Sequence, residues 1–162
     1  MYKRRTMLRT AGAVVAGVSL AGCPDDDPEP EPEPEPDTPE GRVDEFLTEH
    51  EANLYDGTVE DLTGEEELTI DVGAGDDGLA YDPAAARIDV GTTIVWEWTG
   101  QGGAHNVYSN PGTDDTDFDF RSGDPVDEEG HTWSYTFEEE GVSNYYCEAH
   151  RAVGHLGALI VE

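Results

Sequence analysis

The chain has 162 residues, of which 38 are Asp or Glu and only eight are Lys or Arg, a formal net charge of −30. Such a surface repels polyanions, so nucleic acid and anionic lipid headgroups are not expected as partners. The two cysteines, Cys23 and Cys147, lie far apart in the sequence and provide no disulfide framework.

Lys3, Arg4, Arg5 and Arg9 open the chain and are followed by an apolar stretch from Ala11 to Gly22. That stretch is too short to cross about 30 Å of hydrocarbon, so residues 1–22 are expected to be an export signal and not a membrane span. The paired arginines resemble the signal of the twin-arginine translocase. Leu20-Ala21-Gly22-Cys23 resembles a lipobox, which makes Cys23 the expected lipidation site. A lipid there would anchor the protein to the outer face of the cytoplasmic membrane.

Residues 23–42 form the expected linker. Its run PDDDPEPEPEPEPDTPE favours extended polyproline II, further stretched by glutamate repulsion, and spans roughly 50 Å at about 3.1 Å per residue. Beyond residue 22 the only cations are Arg42, Arg87, Arg121 and Arg151, set against all 38 acids. At roughly 1 M salt the screening length falls to about 3 Å and the self-repulsion largely disappears, so the composition points to life in high salt.

Residues 43–162 form the expected domain. Val43, Phe46 and Leu47 predict a short helix within 43–53. The period then changes to two. ELTIDV (67–72), RIDV (87–90), TTIVWEW (92–98), TWSYTF (132–137), NYYC (144–147) and GALIV (157–161) are predicted strands, separated by Gly- and Asp-rich turns. The fold class is therefore all-β, a sandwich of about 100 residues, with the Trp and Tyr stripes as its core. The stretch DDTDFDF (114–120) lacks calcium-loop spacing and is expected to be a surface loop. His50, between two glutamates, is expected to be solvated, and His131 to steady its own loop.

Cys147 and His150 form a C-x-x-H pair with no second C-x-x-C to complete a zinc ribbon. A thiol nucleophile is an alternative, but no orienting acid or amide and no substrate cleft is indicated. A better fit adds His105, which follows a Gly-rich turn. The result is a set of two histidines and one cysteine from two loops at one end of the sandwich.

WEWTGQGGAHNVYS followed by YYCEAHRAVGHLGALIVE resembles the plastocyanin-type small blue copper proteins. It looks closest to the halocyanins, their acidic, membrane-anchored archaeal branch. The resemblance implies a cupredoxin-type Greek-key sandwich holding one copper ion at His105, Cys147 and His150. It also implies that Asn106 ties the ligand loops together, that Tyr146 offers an electron route, and that His150 reaches the surface through an apolar patch with Ala152, Val153 and Leu156. The family usually has methionine eight residues after the cysteine; here His155 stands there, and no methionine follows Met7. His155 is the expected fourth ligand, giving a green or reddish site of lowered potential. Closed tetrahedral zinc on the one cysteine and three histidines is the alternative. The implied function is one-electron transfer to redox protein partners outside the membrane, with no small-molecule substrate and no enzymatic activity.

Overall fold

The computed structural model describes residues 37–162. The expected signal, Cys23 and most of the linker lie outside the described residues. No helix among the described residues is long and apolar enough to cross a membrane.

Helix α1 spans Pro39–Glu49. It begins before the expected 43–53 because Thr38 caps it, its hydroxyl accepting the Gly41 N–H at 3.1 Å. Pro39 then occupies the first turn, where a missing N–H is harmless and its fixed φ suits the helix. Residues 39–42, expected in the linker, therefore belong to the folded domain.

Ten strands follow: β1 (Glu60–Asp61), β2 (Glu67–Ala74), β3 (Ala80–Asp82), β4 (Ala85–Ile88), β5 (Thr93–Trp98), β6 (Tyr108–Ser109), β7 (Phe120–Arg121), β8 (Thr132–Thr136), β9 (Gly141–Tyr146) and β10 (Leu156–Val161). They form a six-stranded sheet, β1-β4-β10-β9-β6-β7, and a four-stranded sheet, β3-β2-β5-β8. Both are mixed, with β2 parallel to β5 and β10 parallel to β4. The predicted strands are all present with shifted ends; β1, β3, β6 and β7 were not anticipated.

Between the sheets lies one apolar layer. Ile94, Trp96 and Trp98 of β5 point inward as their alternation predicts, meeting Ile70 and Val72 of β2 and, across the sandwich, Phe120, Tyr145 and Leu159. Each such side chain contributes about 1.5–3 kcal/mol by leaving water. The six-stranded sheet also carries a second apolar layer on its outer face. There Val43, Phe46 and Leu47 of α1 pack against Val142, Tyr146, Leu156, Ala158 and Ile160. Strand β10 is consequently buried at every residue, with no polar face.

The acidic stretch 114–120 departs from its expected role as a plain surface loop. Phe118 and Phe120 enter the core. Asp115 and Asp117 receive the Arg42 guanidinium at 2.8 and 2.7 Å, while Asp114 pairs with Arg151 at 2.5 Å. The loop is fastened at both ends of that run.

Candidate metal centre

At one end of the sandwich, four side chains converge. His105 follows the turn after β5, Cys147 follows β9, and His150 and His155 flank a 3-10 turn at Arg151–Val153 that leads into β10. One donor atom from each lies within 4.8 Å of all the others. The structure thus brings together all four residues singled out in the sequence. His50 and His131 stay apart: His131 packs edge-on to Trp98 at 4.8 Å. His50, expected to be solvated, contacts Phe46 edge-on and faces the Arg151 guanidinium at 3.4 Å.

His105 is held from every side. Its backbone forms a two-way bridge with Val126, at 2.8 and 2.9 Å, and its carbonyl accepts the Trp98 indole N–H at 2.8 Å. Its Nε2 donates to the Gln101 carbonyl at 2.7 Å. A carbonyl can only accept, so the proton must sit on Nε2, leaving a lone pair on Nδ1. That Nδ1 faces the His150 Nδ1 at 3.1 Å and the Cys147 sulfur at 3.8 Å. The close packing of this loop needs Gly73, at φ 88°, because a Cβ there would lie 2.8 Å from the Gln101 carbonyl oxygen.

The Cys147 loop is tied to the His105 loop by Asn106, as the resemblance implies. The Asn106 side-chain oxygen accepts the Glu148 N–H at 3.0 Å, and its amide donates to the Gly123 carbonyl at 3.0 Å and to the Glu148 carboxylate. Cys147 itself is buried and unbridged. Burial pushes its thiol pKa up, opposed by neighbouring backbone groups of Asn106, Ala149 and His150.

His155 differs from the other three. It is fully buried, yet neither ring nitrogen has a hydrogen-bond partner. The Ala80 backbone favours its protonated form slightly without completing a hydrogen bond; burial, helped by His105 and His150, pulls its pKa down to about 3. A neutral buried imidazole lacking partners costs about 1–3 kcal/mol unless something accepts its lone pair. An ion held by the neighbouring sulfur and imidazoles would do so. The donor set, one thiolate with imidazoles, suits copper in both oxidation states.

Residues 68–162 match the family model of copper-binding proteins of the plastocyanin/azurin family. The chain is 56% identical to the halocyanin of Natronomonas pharaonis over 99% of its own length and 97% of that protein's. The chain belongs to the plastocyanin/azurin family of copper-binding proteins. Chloroplastic plastocyanin of Pisum sativum is 30% identical over 95 residues, covering 56% of each chain. Among solved structures, the purple cupredoxin of Nitrosopumilus maritimus is 29% identical, covering 59% of this chain and 99% of that one at a TM-score of 0.46.

As a halocyanin-like member of the plastocyanin/azurin family, the protein holds one copper ion and carries electrons. Zinc, the alternative ion, finds no support in these relationships. One expectation drawn from the resemblance needs correction. Leu156 is fully buried and takes no part in the surface patch, whereas Ala152 and Val153 are exposed, Val153 by 53%. The buried side of β10 is already occupied by α1. The Tyr146 ring is 7% exposed, with the Arg151 guanidinium 4.4 Å from its centre and Tyr108 against its edge.

Sequence reasoning missed Gln101, Tyr81 and Arg151. Gln101 acts through its carbonyl, which no side-chain pattern reveals. Tyr81 donates to the Asn106 carbonyl at 2.6 Å and lays its ring 4.3 Å from His155. Arg151 was visible as a scarce cation in an acidic chain, and that scarcity was the available signal.

Proposed function

We propose that His105, Cys147, His150 and His155 together hold the copper ion, in a carrier with no catalytic activity of its own. Bound there, copper supplies a one-electron Cu(I)/Cu(II) couple. The residues around it supply rigidity: the Gln101 bond fixes one imidazole and Asn106 fixes the two loops against each other. His150 is partly exposed beside Ala149, Ala152 and Val153, and forms the exit toward a redox partner. A partner docking there needs cations at its rim to meet this protein's acids, and association weakens with salt.

The chain's position outside the cytoplasmic membrane is part of the same proposal. Residues 1–22 act as a twin-arginine export signal, Cys23 carries the lipid, and the Pro/Glu run up to Thr38 is the tether. The motifs at Arg4-Arg5 and Leu20–Cys23 support this.

The observation that carries the four-ligand reading is the bare, buried ring of His155 facing the other three donors. An imidazole donates more strongly than a thioether and favours Cu(II), so it lowers the potential and weakens the copper–sulfur interaction. The test compares optical and electron-paramagnetic spectra and potentials of the copper form with those of His155→Met. The variant should shift toward an intense blue site with a higher potential. Identical spectra would remove His155 from the ligand set.

A further inference from the structure

Asn53 lies outside the residues matched by the copper-binding family model, yet it bonds to the backbone just before His155 and to that just before β3. Its side-chain amide donates to the Val153 carbonyl and to the Leu79 carbonyl, each at 2.8 Å. Its backbone N–H donates to the Gly154 carbonyl at 2.8 Å. Val153 and Gly154 lead directly into His155. Leu79 leads into β3, whose Tyr81 ring lies against the His155 ring. One amide therefore couples the two backbone segments between which the His155 ring sits.

Gly154 shows how close the N-terminal segment comes. It has φ 84°, and a Cβ there would lie 2.5 Å from the Glu51 carbonyl oxygen and 3.0 Å from the Asn53 side chain. The turn before His155 is thus pressed against residues 51–53. The His155 ring has no hydrogen bond of its own to fix its position. Its placement falls to the backbone on either side and to ring packing.

We infer that Asn53 is a positioning residue for the metal loop, holding the 153–154 turn against Leu79 so that the His155 ring stays directed at His105, Cys147 and His150. The inference rests on the reading of His155 as a ligand. It gives the segment following α1 a role in tuning the site, beyond covering a sheet.

The test uses the full chain with Asn53→Asp, which keeps the shape but loses both N–H donors, and the milder Asn53→Ala in case the first fails to fold. Thr38→Ala is the control, since it weakens α1, the helix that leads toward Asn53, at its far end. In the metal-free protein, amide hydrogen exchange at Gly154 and His155 should accelerate about tenfold in the Asn53 variants. In the copper-loaded protein their electron-paramagnetic spectrum should shift. Thr38→Ala should lower the melting temperature and change neither readout. Unchanged exchange in both Asn53 variants, or equal changes in Thr38→Ala, would overturn the inference. Faster exchange without a spectral shift, in a protein where His155→Met does shift the spectrum, would also overturn it, leaving Asn53 a structural clamp. An unchanged spectrum in His155→Met would instead refute the ligand reading on which it stands.

Discussion

His105 and His155 lie ring to ring at 4.5 Å, yet the protein holds them in opposite ways. His105 has its tautomer set by Gln101 and its backbone bridged to Val126. His155 has neither ring nitrogen bonded and is kept in place by packing and by the backbone of its own turn. One imidazole is satisfied before any ion arrives. The other is held at a cost that ligation lessens by engaging its lone pair. A single site can therefore combine a ligand the fold prepares for its own stability with one it maintains against that stability.

The largest test of this contrast removes the group both histidines face. Cys147→Ser should abolish the strong visible absorption of the copper form and weaken copper binding more than about a hundredfold, beyond what loss of an outer partner does. Spectral titration checks it. Retained colour would show that the sulfur is not the shared centre.

Next come the two imidazoles in metal-free protein, compared by urea unfolding in molar salt. His155→Leu should stabilise that form by about 1–3 kcal/mol, because it removes a buried polar group lacking partners. His105→Leu should destabilise it by about 0.5–1.5 kcal/mol, because the part-buried bond to the Gln101 carbonyl is lost. Shifts of the same sign would end the contrast.

The smallest expected effect is the control, at Asp117. The Arg42 guanidinium, bonded to Asp117, holds this carboxyl below its ordinary value of 3.8. A depressed folded-state pKa contributes stability above the unfolded value and loses it as pH falls through the folded one. Asp117→Asn should therefore be slightly less stable than the parent at neutral pH, by under about 1 kcal/mol for so exposed a pair. The difference should fade below about pH 3.8. Neither the spectrum nor the His155→Leu effect should change; any change there would mean the acidic loop is coupled to the site.

Much of this was legible in the chain because it lies in local patterns. The alternation through Ile94, Trp96 and Trp98 gave the core face of β5, the C-x-x-H pair with His105 gave three members of the cluster, and the family resemblance added His155. What escaped notice depends on distant contacts. Strands β6 and β7 have two residues each, too few to show a period. The role of Leu156 was misassigned because α1 buries the second face of β10, erasing the alternation that separates inside from outside. In DDTDFDF the alternation of Asp with Phe118 and Phe120 was present, but acidic composition obscured it. His50 was judged by its glutamate neighbours, while its actual neighbour Arg151 stands about a hundred residues away in sequence.

Each of the four arginines in the described residues is bonded to acids: Arg42 to Asp115 and Asp117, Arg87 to Glu40 and Glu162, Arg121 to Asp124 and Glu148, and Arg151 to Asp114. No lysine follows Lys3, so the folded domain presents no unclaimed cation to another copy of itself. Two such molecules repel each other over about 30 Å in 10 mM salt, and over only about 3 Å near 1 M. Electron self-exchange between copies should therefore be slow in dilute buffer and accelerate steeply as salt is added. The ionic strength of the surroundings, acting on charges far from the metal, decides whether these carriers behave as isolated couriers or as a connected pool.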